Sequence, residues 1–227
     1  MKDKFKFDLK GRTLVIIDWA NVFGWFEKLK WEIDPEKLYN YLKSYPEIFD
    51  IRFYFGIEKG NEKSENFHNY IKSIGFNLIS KEVKWVPAEV KISSNIRFKD
   101  KIVSIIEHGQ INQDDFGKFM EFFNYIKDLG LVRRKCDFDV EITLDTMRML
   151  KDFEILILFS GDGDYAYLVR HLIEIERKKV ILVFAKGCKG KEYGEFVRGL
   201  FQCNVNYLKE YIKKYPRQDN PYRGVII

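Results

Sequence analysis

EILILFSGDGDYAYL, Glu154 to Leu168, is the stretch that decides the fold. Five apolar residues, Ile155 to Phe159, run into Ser160, Gly161, Asp162, Gly163 and Asp164, and a segment with helical spacing follows. That order predicts a buried strand, a tight turn and a helix. Both aspartates then stand at the carboxyl end of the strand, where open α/β sheets bind their ligands.

Gly161, Gly163 and Ala166 also satisfy the GxGxxA spacing of a dinucleotide-binding turn. Two features oppose that reading. Asp162 and Asp164 would place carboxylates where a pyrophosphate must approach backbone N–H groups. The ribose-binding acid expected after the next strand is also missing, since Val180 to Ala185 leads into Lys186 and Gly187.

Working outward, Thr13 to Ile17 is a second β-branched run, and it delivers Asp18 at its end. Asn21 is expected to cap a helix whose apolar positions are Val22, Phe23, Phe26 and Leu29. A third stretch, RRKCDFDVEITLDTMRML at 133–150, starts a helix with Asp137 or Asp139 as N-cap and Val140, Leu144, Met147 and Leu150 as its stripe. Glu141 and Asp145 form a like-charge i, i+4 pair there, which needs Arg148 or a metal ion beside it.

The remaining elements alternate. Helices are expected after Asp34-Pro35, over Ser64 to Ile74, Phe116 to Ile126, Tyr165 to Glu176 and Glu192 to Phe201. Strands are expected over Ile48 to Gly56, Phe76 to Ile79, Val180 to Phe184 and, at an edge, Val205 to Leu208. Such alternation predicts an α/β fold with a central, mostly parallel sheet and right-handed crossovers. One domain over 1–215 is expected, with an unassigned insertion at about 80–117 and a tail over 216–227.

Charged residues make up 32% and the hydrophobic set 46% of the 227 residues, the composition of a soluble globular chain. The net charge of +5 is concentrated in basic runs at 133–135, 177–179 and 186–191, which suits a polyanionic partner. The three cysteines form no CxxC pair and the three histidines have no ligand spacing, which argues against a disulfide framework and against a zinc site. No signal core or apolar run of the ~20 residues needed to cross a bilayer is present, so a cytoplasmic protein away from the membrane is expected. The aromatic content permits a homodimer without demanding one.

In a parallel sheet, Asp18, Asp139, Asp162 and Asp164 converge at the strand ends, and four carboxylates share a site only if cations neutralise them. Oxygen-only ligation favours Mg²⁺ or Mn²⁺. Two such ions would clamp the attacking and leaving oxygens of a phosphodiester displacement. Lys135, Lys186, Lys189 and Lys191 are candidates to hold flanking phosphates. Trp19, Phe23, Trp25 and Tyr165 are candidates to stack unpaired bases.

Taken together, VIIDWANVFG at 15–24, KCDFDVEITLDTM at 135–147 and LFSGDGDYAYLV at 158–169 resemble the NYN domain, the PIN-like metal-dependent ribonucleases, and most of all its LabA-like branch. The resemblance implies a PIN-like three-layer sandwich and a Mg²⁺- or Mn²⁺-dependent endoribonuclease acting on RNA, single-stranded or with unpaired segments. By motif position it implies Asp18, Asp139, Asp162 and Asp164 as catalytic and metal-holding acids, with Asn21, Ser160 and Asp145 supporting. Trp19-Ala20 and Cys136-Asp137-Phe138 depart from the family's usual small or glycine-containing runs, without removing a ligand. Two other readings compete with the enzyme. One is a catalytically silent RNA-binding or scaffold domain, and the other a small-ester phosphatase, which the late position of the DxD turn disfavours. No GxxxxGK[ST] run supports a P-loop.

Overall fold

The computed structural model describes residues 5–87, 132–196 and 198–215. Chain contacts divide it into two units, one formed by Met1–Glu82 with Cys136–Ile227 and the other by Val83–Lys135. The second unit begins where the sequence places an insertion; within it β4 (Lys84–Pro87) pairs antiparallel with β5 (Val132–Lys135). The helix expected over 116–126 and the 216–227 tail lie outside the described residues.

The first unit is built on six strands, β1 (Thr13–Asp18), β2 (Ile48–Ile57), β3 (Asn77–Glu82), β6 (Ile155–Phe159), β7 (Lys179–Phe184) and β8 (Leu200–Asn204). They lie in the order β3-β2-β1-β6-β7-β8 with parallel pairing throughout. The chain starts at the centre, winds outward through β2 and β3, and returns to wind the other way from β6. The connections after β1 and β6 therefore part in opposite directions, leaving a crevice at the carboxyl ends of these two strands, the topological switch point of such sheets.

Both strands are apolar on both faces, as a central parallel strand must be, and every residue of β1 and β6 is buried. Alternate side chains feed two cores. Val15, Ile17, Ile155, Ile157 and Phe159 pack beneath α1 (Trp19–Gly24), α3 (Pro35–Lys43) and α4 (Glu62–Ile74) through Val22, Leu38, Leu42 and Ile71. Leu14, Ile16, Leu156 and Leu158 pack on the opposite face beneath α5 (Asp139–Arg148) and α6 (Ala166–Glu174) through Ile142, Leu168, Val169 and Leu172. Helices thus cover both faces, giving the expected three layers.

Local signals fix most boundaries. Asp34 accepts from the N–H groups of Glu36 and Lys37 with Pro35 opening α3, while Asn61 caps α4 and Gly75, at φ 108°, ends it. The carboxyl-terminal end differs from the sequence expectation. Lys191–Glu195 is a short 3-10 helix, Leu200–Asn204 forms the edge strand, and Val205–Leu208 is a further 3-10 turn before α7 (Lys209–Ile212). Gly199, at φ 84°, breaks the helical period and turns the chain into the edge strand.

α5 also turns differently from its apparent stripe. Val140 and Leu144 are exposed, whereas Ile142 and Thr146 are buried, because Phe138 enters the core and sets the rotation of the helix. No side chain caps α5; Phe138 occupies the N-cap position, where Asp137 or Asp139 had been expected.

Candidate functional site

The site begins with Asp18. It ends β1, is only 7% exposed, and its Oδ1 accepts from the Asn21 N–H at 3.4 Å, so Asp18 is the cap of α1 where the sequence pointed to Asn21. Its Oδ2 accepts from the Ser160 hydroxyl at 3.3 Å and the Tyr165 hydroxyl at 3.4 Å. All three bonds are long, and together they orient the carboxylate toward the crevice. Burial pushes its pKa up to about 6, partly offset by the Asn21 N–H and reinforced by the charges of Asp139 and Asp162.

Asn21 has another task. Its Oδ1 accepts from the Trp25 indole N–H at 2.9 Å and from the Gly161 N–H at 2.8 Å, joining the loop after β1 to the loop after β6. Across the crevice, Asp162 opens a 3-10 turn over Gly163–Tyr165 and accepts from the Asp164 N–H at 3.1 Å. Its own N–H donates to Ser160 Oγ at 3.2 Å, and the buried Tyr193 hydroxyl donates to its carbonyl at 2.6 Å. Asp139, the first residue of α5, is half-buried. Burial raises its pKa, a hydrogen bond from Tyr165 counters that, and the charges of Asp162, Asp137 and Asp164 add to it. The structure therefore brings Asp18, Asp139 and Asp162 into one electrostatic field, with Asp164 at its exposed rim.

The loop after β7 closes one side. The Gly190 N–H donates to the Gly161 carbonyl at 2.8 Å, and a Cβ at Gly161 would collide with the carbonyl oxygen of Cys188. A Cβ at Gly163 would meet the carboxylate of Glu192, an acid at the site edge that the helical reading of 192–201 obscured. Lys186 and Lys191 are exposed on this loop, and Lys189 donates to Gln202 Oε1 at 2.6 Å. Lys135 belongs to the second unit.

Four sequence candidates have other surroundings. Asp145 accepts from Arg52 at 3.0 Å and from the Tyr54 hydroxyl at 2.9 Å, so its charge is balanced by Arg52. Glu141 pairs with Lys81 at 2.6 Å, which resolves the like-charge pair on α5 without a metal; Arg148 lies 3.6 Å from Asp145. Trp19 is 4% exposed, its ring packed against Phe53 and Phe67, and Tyr165 is equally enclosed. Neither offers an open face for stacking a base, because both rings are drawn into the core to support the strand ends.

Among the described residues, no three His, Cys, Asp or Glu side chains converge closely enough to hold a metal ion as placed. In kind, the donor set suits a hard divalent cation: carboxylate oxygens, one of them raised chiefly by burial and further by its neighbours' charge. No described helix is long and apolar enough to cross a membrane.

Residues 111–197 match the NYN domain. That segment holds Asp139, Ser160, Asp162, Asp164 and the lysine loop, and leaves out β1 with Asp18. Low amplitude and bright protein LabA of Synechococcus elongatus is 20% identical over 211 residues, covering 92% of this chain and 91% of LabA. A crystal structure of a protein of unknown function from Vibrio parahaemolyticus aligns with a TM-score of 0.55 over 92% of this chain and 100% of that chain; at 18% identity the likeness is one of fold. The domain match over two of the three acidic motifs, and the likeness to LabA along nearly the whole chain, bear out the resemblance to the NYN domain family and its LabA-like branch.

Proposed function

We propose that this chain is a Mg²⁺- or Mn²⁺-dependent endoribonuclease that cleaves phosphodiester bonds in unpaired RNA. The observation that carries the reading is Asp18: a buried carboxylate at the switch point, raised to about 6 by burial and then by Asp139 and Asp162, whose hydrogen-bond donors are one backbone N–H and two hydroxyls. An arrangement that concentrates negative charge at a ligand crevice is stabilised when a cation enters. The NYN match supports a nuclease and an RNA partner.

Asp18, Asp139, Asp162 and Asp164 would hold the cation, which when bound supplies Lewis-acid activation of water and stabilises charge on the leaving 3′ oxygen. Ser160 and Tyr165 keep Asp18 aimed into the crevice, and Asn21 fixes the distance between its two walls. Lys186, Lys189 and Lys191, on the bordering loop, attract the phosphates on either side of the scissile bond.

The test is incubation of the wild type and Asp162→Asn with a labelled mixed-sequence single-stranded RNA, with Mn²⁺ or with chelator. Cleavage that needs both the ion and Asp162 is expected. RNA binding without cleavage under every condition would replace the enzyme with a silent RNA-binding domain.

A further inference from the structure

The helical segment that follows Asp18 has two unlike faces. Val22 and Trp25 are buried at 2% and 1%, whereas Phe23 and Phe26, on α1 and on α2 (Phe26–Leu29), are 37% and 48% exposed. The break between the two helices is slight: Trp25 keeps helical dihedrals and its carbonyl accepts from the Leu29 N–H at 2.8 Å, so the helical course continues. At a rise of about 1.5 Å per residue, the two phenylalanines stand about 4.5 Å apart along the axis. That spacing suits rings that receive neighbouring bases. Asp18 is the cap of this same segment, so the exposed face leads away from the acidic centre.

Aromatic rings alone would suit any apolar partner; the charges beside them choose among partners. Lys28 and Lys30 are exposed at the end of α2. Leu29 of α2 and Cys188 of the loop that carries Lys186 and Lys189 pack against the same core, and Lys28 and Glu27 lie within electrostatic range of Cys188. Glu27 is the acid on α2, set against Lys28 on the same helix and the lysines of the loop. An aromatic pair bordered by lysines and leading to a cation-seeking centre is complementary to a single strand of nucleic acid, whose bases stack on rings while its phosphates meet ammonium groups.

We propose that Phe23 and Phe26 form the base-stacking platform for an unpaired RNA segment entering the acidic centre, with Lys28, Lys186 and Lys189 along its phosphate side. The proposal rests on the ribonuclease reading for its substrate; of the four rings the sequence offered for stacking it keeps Phe23, adds Phe26, and drops Trp19, Trp25 and Tyr165, which are buried. It also gives a preference, because bases in a duplex have no free face to offer the two rings.

The experiment is fluorescence anisotropy in chelator with a labelled single-stranded RNA and the corresponding duplex, comparing the wild type with Phe23→Ala/Phe26→Ala and with Phe23→Trp/Phe26→Trp. Both rings are only partly covered, so the alanine protein should keep the wild-type circular dichroism while its melting temperature falls by a few degrees, and binding is compared well below both melting temperatures. The alanine protein is expected to bind the single strand about ten-fold or more weakly. Duplex binding should be unchanged, and the tryptophan protein should regain single-strand affinity. Equal single-strand binding by wild type and alanine protein overturns the proposal, as does an equal loss for both RNAs. A change in sedimentation with RNA binding intact also overturns it, and assigns the face to self-association. The nuclease reading fails separately: a wild type that never cleaves, but shows this binding pattern, keeps the platform and loses the catalysis.

Discussion

The Tyr165 hydroxyl donates to Asp18 Oδ2 at 3.4 Å and faces the Asp139 carboxylate as well, so one buried phenol, with a single proton to give, stands between carboxylates from two different motifs. Burial and the two aspartates hold its own proton on well above the ordinary tyrosine range, which keeps it a donor at any physiological pH. Tyr165→Phe removes that donor while keeping the ring in place. Asp139 is then expected to ionise at higher pH, followed by carboxyl-carbon NMR, with a loss of about 1 kcal/mol in denaturant melts.

Asp18 gives the metal-free protein a distinctive pH dependence. Its pKa is about 6 in the fold against 3.8 as the ordinary value, so between those limits the folded chain holds the proton more tightly than the unfolded one. Its contribution to stability therefore falls as pH rises through that window, and above it the ionised group costs up to about 3 kcal/mol. In chelator, Asp18→Asn is expected to be more stable than the wild type at neutral pH, with the advantage vanishing near pH 4. Thermal melts across this range, repeated with Mn²⁺, check the sign; the ion should stabilise only the wild type.

Asp145 and Asp18 are separable by substitution. Arg52 and Tyr54 satisfy Asp145 away from the acidic centre, so Asp145→Asn should leave RNA cleavage within about two-fold of wild type. Arg52→Met leaves both Asp50 and Asp145 without their guanidinium partner and should cost about 3 kcal/mol. Urea unfolding and initial cleavage rates measure the two effects independently.

Gly161 and Gly163 look equivalent in the motif but face different obstacles. A methyl group at Gly161 meets the main-chain carbonyl of Cys188, which can yield only by moving the loop after β7; Gly161→Ala should cost about 2–3 kcal/mol. At Gly163 the obstacle is the Glu192 side chain, which can rotate away, so Gly163→Ala should cost less than half as much. Paired melts of the two variants test this ordering.

The sheet was legible because a central parallel strand has no polar face: Thr13 to Ile17 and Ile155 to Phe159 could be nothing else once turns followed them. Asp18, Asp162 and Asp164 followed from their positions just past those runs. The partners of Asp145 were not legible, since Arg52 is 93 residues away and only the register of β2 brings it near. Nor does spacing distinguish a ring that supports a loop from one that faces solvent: Trp19 and Phe23 are four residues apart on one helical segment, and only packing against Phe53 and Phe67 sets them apart. The edge strand at 200–204 was masked by its apolar residues, which match a helical period until Gly199 interrupts it.

The bond from the Gly161 N–H to the Asn21 side chain spans 140 residues, and the one from Ser160 to Asp18 spans 142. During synthesis, the first wall of the crevice leaves the ribosome long before the second exists. Contacts of such sequence separation form late, after the loop-closure entropy has been met. A nascent or truncated chain ending before β6 carries Asp18 and Asp139 without Asp162, Asp164 or the loop that closes over Gly161. The acidic centre thus comes into being only when the last three strands of the sheet have joined the first three, so an incomplete chain carries its acids without assembling the site.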